Sequence, residues 1–154
     1  MIFKNLFLFS CPETWINTEL GCFYFAAEAG QLNWFDAQDY CNKLYENAYL
    51  AEIKDIETQN LVRNLANQQP DFNWWLGASE FYKEGNWRWE RTGEPMRFSA
   101  WGVGQPDNHD IFGHTEDCLH LFSTQWAGDR SWNDHICVHV PDEQFFRPLC
   151  QLFL

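Results

Sequence analysis

The sequence predicts a single α+β domain held together by disulfides, and three observations carry this. Helical patterning is confined to the first half of the chain, while the second half holds short β-rich pieces separated by Gly, Pro, Asn and Asp. Six cysteines, Cys11, Cys22, Cys41, Cys118, Cys137 and Cys150, form an even set without a Cys-x-x-Cys pair, which suits a disulfide framework in an oxidising compartment better than zinc or redox chemistry. The 154 residues, 18% of them aromatic, are enough for one real core. No repeat, low-complexity tract or charge block divides the chain, so it reads as one unit from Cys11 to Leu154.

The elements follow in order. Residues 1–10 place Lys4 before a short apolar run, which fits part of a signal peptide or a buried first strand. A complete signal would carry an apolar region of about 7–15 residues. A first helix is expected from about Trp34 to Tyr45, with Phe35, Ala37, Cys41 and Leu44 sharing an inward face. A second begins near Asp55, whose carboxylate can cap it, and Leu61, Val62 and Leu65 form its apolar stripe. Strands are expected at Trp74 to Ala78, Trp87 to Glu90, Cys118 to Phe122 and Phe145 to Leu152, built into an antiparallel sheet. The stretch from Gly93 to Asp117 has little strand pattern, and a loop that long inside a compact domain is usually functional or disordered.

A net charge of -12 and a pI near 4.6 argue against nucleic acid or an anionic membrane as partner, since both would repel this surface. The acidic residues either attract cations or simply keep the surface solvated. No segment is long and apolar enough to insert across a membrane. Nine Trp and fourteen Phe supply core, with some ring faces left for a ligand.

The long loop carries Gln105-Pro106-Asp107-Asn108 and ends in Glu116-Asp117 before Cys118, and Trp132-Asn133-Asp134 precedes Cys137. All of these polar side chains offer oxygen, the donor that calcium (Ca2+) takes six to eight times over at flexible geometry, whereas zinc prefers imidazole or thiolate. If Cys118 bonds Cys137, Glu116 and Asn133-Asp134 are drawn side by side. The competing reading is that Asn, Asp and Gly here only build turns.

Together these segments resemble the C-type lectin-like domain in its long form, over Cys11 to Cys150. The resemblance rests on Trp34-Phe35-Asp36-Ala37 leading to Cys41, Leu50-Ala51-Glu52-Ile53, Trp75-Leu76-Gly77, Gly85-Asn86-Trp87-Arg88-Trp89, Gln105-Pro106-Asp107, Glu116-Asp117-Cys118 and Trp132-Asn133-Asp134, all in family order. It implies a fold of two helices, antiparallel sheets and a long calcium-binding loop, with disulfides Cys11–Cys22, Cys41–Cys150 and Cys118–Cys137. It implies calcium ligands Gln105, Asp107, Glu116, Asn133 and Asp134, which would also bind sugar, and a second ion on Glu80, Glu84, Asn108, Glu116 and Asp117.

The Gln105 and Asp107 order resembles members that bind galactose or N-acetylgalactosamine; mannose-type members carry Glu and Asn. His109 stands where galactose-type sites usually place an aromatic ring, so Phe112 becomes the candidate ring. A second departure, Val138 to Leu149, is longer than the family's usual spacing and is expected to lengthen a hairpin. The implied protein is a secreted lectin of innate-defence or adhesion type that gains avidity as a homo-oligomer or on clustered glycans. The same fold also serves recognition of protein, mineral or ice. Catalysis finds no support. No nucleophile motif or glycine-rich phosphate loop is present, His109, His114, His120, His135 and His139 match no zinc spacing, and Glu116 with Asp134 serve better as metal ligands than as a hydrolytic pair.

Overall fold

The computed structural model describes residues 10–138 and 145–154. The expected signal segment and much of the expected hairpin extension fall outside these residues. Helix α1 (Trp34–Leu44) starts where the Asn33 side chain accepts the Asp36 amide at 2.8 Å, and α2 (Ile56–Ala66) where Asp55 accepts the Thr58 amide at 2.7 Å. Val62 is fully buried, with Leu61 and Leu65 packed beside it on the core. On α1 the inward face differs from expectation. Trp34, Ala37 and Cys41 are buried, whereas Phe35 is 45% exposed and stacks on Phe81 at 5.3 Å. Rotating Trp34 inward gives the larger ring to the core, and its indole N–H donates to the Leu76 carbonyl at 2.8 Å.

Among the described residues, eight strands form one sheet: β1 (Ile16–Thr18), β2 (Gly21–Phe25), β3 (Ala48–Leu50), β4 (Asn73–Ser79), β5 (Arg88–Trp89), β6 (Cys118–Leu121), β7 (Trp132–His135) and β8 (Phe146–Leu152). The path runs β1-β2-β8-β4-β6-β7, with β3 added to β8 and β5 to β4. The expected antiparallel sheet is instead mixed, because β4 and β8 run parallel through Asn73↔Phe146, Trp74↔Arg147 and Trp75↔Pro148. The chain returns to β4 only after the long loop, β6 and β7, the kind of extended crossover that a parallel pair requires. The far half of β8 lies between β2 and β3.

Trp74, Trp89 and Trp132 are at most 2% exposed in the main core, with Phe23, Ile53 and Leu121 among their neighbours. A second cluster under α1 gathers Trp75, Phe146 and two of the disulfides. The three pairs are Cys11–Cys22, Cys41–Cys150 and Cys118–Cys137. The long loop is pinned: Gly102 donates to Trp132 O and Trp132 to Ala100 O, each at 2.8 Å, while Met96 and Phe98 pack on the core. That anchoring fixes where its polar end sits.

Candidate metal centre

β6 and β7 bring the site together. Their register pairs Cys118 with His135, Leu119 with Asp134 and His120 with Asn133, and the Cys118–Cys137 bond closes the same end. Glu116 therefore leaves β6 beside Asp134, and its amide donates to the Asn108 carbonyl at 2.8 Å, drawing the long loop across. The Asp134 carboxylate accepts the Asp107 amide at 3.2 Å and the Asn108 amide at 2.7 Å. Gln105 Oε1 accepts the Asp107 amide at 3.1 Å, and the Gln105–Pro106 peptide is cis.

Carboxylate oxygens of Asp107, Glu116 and Asp134 lie within 4.8 Å of one another. A second group, Glu80, Glu84 and Asp117, meets the same limit. There Glu80 Oε2 accepts the Gly85 amide at 2.6 Å, and the Glu80 amide donates to Asp117 O at 3.0 Å. Glu116 belongs to the first group, and the Asn108 backbone bonds to that same group, accepting the Glu116 amide and donating to Asp134.

Crowding unneutralised carboxylates in a dry place has the expected electrostatic result. Burial pushes the Glu116 carboxyl up to about 9, aided by its hydrogen bond with Asp107 and the charges of Asp134 and Asp107. Asp134 is raised by burial against the pull of its backbone donors. Glu80 rises to about 7, from burial first and then the charges of Glu84, Asp117 and Asp134. Two amide oxygens, Asn108 Oδ1 and Asn133 Oδ1, are buried without a hydrogen-bond partner among the described residues. Three carboxylates repelling one another beside orphaned carbonyl oxygens fit a hard divalent cation, and an all-oxygen donor set is the calcium type.

An open concavity of about 1320 Å3 adjoins this centre, with Gln105, Asp107, Glu116 and Asn133 in its lining. Phe35, Phe81, Ile111 and Trp126 supply apolar wall. Phe112 stands 77% exposed on a small hairpin closed by the His109–Thr115 bridge, and Asp110 ties its turn by accepting the Phe112 and His114 amides. His109 is exposed on the same hairpin.

Sequence reasoning missed His120. Its ring is buried between β6 and β7, its Nδ1 lies 3.2 Å from Leu121 O, and its Nε2 lies 3.1 Å from Asn133 Nδ2. Burial, with the charge of His135, pushes His120 down to about 3. The missing signal is cross-strand register, which places His120 opposite Asn133.

A disulfide-bonded α+β domain that carries clustered oxygen donors at the end of a pinned loop is a display module, with the rigid sheet holding the loop in place. The chain belongs to the C-type lectin family: the family model described as Lectin C-type domain matches residues 30–141. It is similar to a perlucin-like protein of Mytilus galloprovincialis, 30% identical and covering 83% of this chain and 76% of the relative. Perlucin of Haliotis laevigata is 33% identical, with 82% and 76% covered. Among solved structures, the human scavenger receptor C-type lectin carbohydrate-recognition domain superposes with TM-score 0.72 at 28% identity, covering 92% of this chain and 98% of that one. Herring type II antifreeze protein superposes with TM-score 0.69 at 30% identity, covering 94% and 99%.

Proposed function

We propose that the protein is a secreted, calcium-dependent lectin of the long form that reads terminal galactose or N-acetylgalactosamine on glycans or microbial surfaces. The observation that carries this reading is the cluster of exposed Asp107 with buried Glu116 and Asp134, their carboxylate oxygens within 4.8 Å of one another, beside an open concavity. Gln105, Asp107, Glu116, Asn133 and Asp134 would hold the ion, and two adjacent sugar hydroxyls would complete its shell while bonding to the same acids and amides. Glu80, Glu84, Asn108, Glu116 and Asp117 would hold a second calcium. The Gln105 and Asp107 order favours galactose-type hydroxyls, and Phe112, with His109 beside it, offers a ring for the apolar face of the sugar. One ring in a shallow site binds weakly, so avidity requires a homo-oligomer or clustered glycans.

The test is retention on immobilised galactose and on mannose, each with calcium and with a chelator. Calcium-dependent retention on galactose is expected, and the double variant Q105E/D107N should move retention toward mannose. Retention that ignores the chelator sinks the calcium reading. A second reading, recognition of ice or another non-sugar surface, draws support from the 30% identity with the herring protein, whose name states an antifreeze role. Ice-growth inhibition without retention on either sugar would select it.

A further inference from the structure

Asn133 is an ambidextrous donor set: one branch of its amide accepts and the other donates, and only the oxygen can serve a cation. Something must decide which branch faces the metal centre. We infer that His120 is the positioning residue that holds the Asn133 carbonyl oxygen toward the cation, an inference that rests on the calcium reading above.

The chain of contacts has one consistent direction. Leu121 O is a carbonyl and can only accept, so the His120 Nδ1 facing it at 3.2 Å carries the proton. In that tautomer Nε2 offers a lone pair, and Asn133 Nδ2 donates to it at 3.1 Å. Committing Nδ2 to the imidazole leaves Oδ1 on the other branch, buried without a hydrogen-bond partner among the described residues, on a residue lining the same concavity as Gln105, Asp107 and Glu116. The ring cannot swing to release the amide. It is packed edge-on against Trp75, Phe122 and Phe146, with centroids at 5.8, 5.4 and 4.8 Å, and His135 lies 5.9 Å away. The cross-strand pairing of His120 with Asn133 fixes the two side chains on one face.

Residues that orient a metal ligand typically change metal affinity by about 10- to 100-fold when removed. Phe at position 120 keeps an aromatic ring in the slot but no acceptor, whereas Gln restores an oxygen acceptor. Calcium affinity by titration calorimetry should therefore fall at least about tenfold in H120F and recover most of that loss in H120Q. Melting of each variant in chelator should stay close to the parent protein. Long-range proton–nitrogen NMR on the calcium-free protein supplies a readout independent of the ion, and should find His120 protonated at Nδ1 and bare at Nε2. Parent-like calcium affinity in H120F, equal losses in both variants, or a proton on Nε2 overturns the inference. A parent protein that binds no calcium defeats the proposed function instead, and the NMR tautomer still decides whether His120 directs Asn133.

Discussion

Glu116 couples the site to pH. Its carboxyl is raised to about 9 in the folded, metal-free protein, so the folded state holds the proton more tightly than the unfolded chain does. The resulting stability is complete below the ordinary carboxylate range and drains away as pH climbs toward 9. In chelator, the melting midpoint should drop between about pH 5 and pH 9, each lost kcal/mol lowering it by roughly 2–4 °C at this size. Calcium should remove most of that slope by replacing the proton, and E116Q should make it shallower without calcium, leaving the shares of Glu80 and Asp134. A midpoint insensitive to pH in the chelated parent would mean that Glu116 is solvated. At this scale Asp107, Glu116 and Asp134 could be singled out because short motifs name them, and the structure brings their carboxylate oxygens within 4.8 Å of one another. His120 was not, since its role exists only once β6 and β7 set their register. Phe35 was misplaced because the helical period allows two neighbouring stripes, and the choice between them fell to the bulkier Trp34.

The helices were readable as elements because each carries an apolar stripe, with Asp55 marking the start of α2, whereas the Asn33 cap of α1 came only with the structure. The short strands β1 and β3 span three residues each, too few for alternation to declare itself. β7 hid for a different reason: Asn133 and Asp134 are poor strand formers, held there by pairing with β6. β4 depends on a single small residue. A side chain added at Gly77 would put its Cβ 2.7 Å from the Leu50 carbonyl oxygen, while the Gly77 amide donates to Ala51 O at 2.9 Å. The atoms it would meet are all backbone of Leu50 and Ala51, so no flexible side chain is there to yield. Gly77→Ala should therefore cost about 1–3 kcal/mol, seen as a lower urea midpoint with an unchanged slope. A parent-like midpoint would show that β4 can shift away from the 50–51 segment.

For the whole molecule, the Cys41–Cys150 bond is the dominant covalent constraint. It joins residues 109 apart in sequence, against 11 for Cys11–Cys22. In the chain-entropy model the longer closure is worth about 4–5 kcal/mol, and the short one about 1–2 kcal/mol less. Denaturant unfolding should rank C41A/C150A well below C11A/C22A in stability; equal losses would show that local packing outweighs chain closure. The overall α+β class was legible from the division of helical and β patterning, but the parallel β4–β8 pair was not, because no local pattern reports a partner some 70 residues away.

The position of β8 also bears on how the protein is made. Every strand it contacts precedes it on the nascent chain, as does Cys41. Until Phe146–Leu152 leaves the ribosome, the edges of β2, β3 and β4 stay open and the Cys41 sulfur lacks its native mate. The domain therefore completes its sheet only after translation of its last strand, and until then its open edges are available to pair with one another or with neighbouring chains.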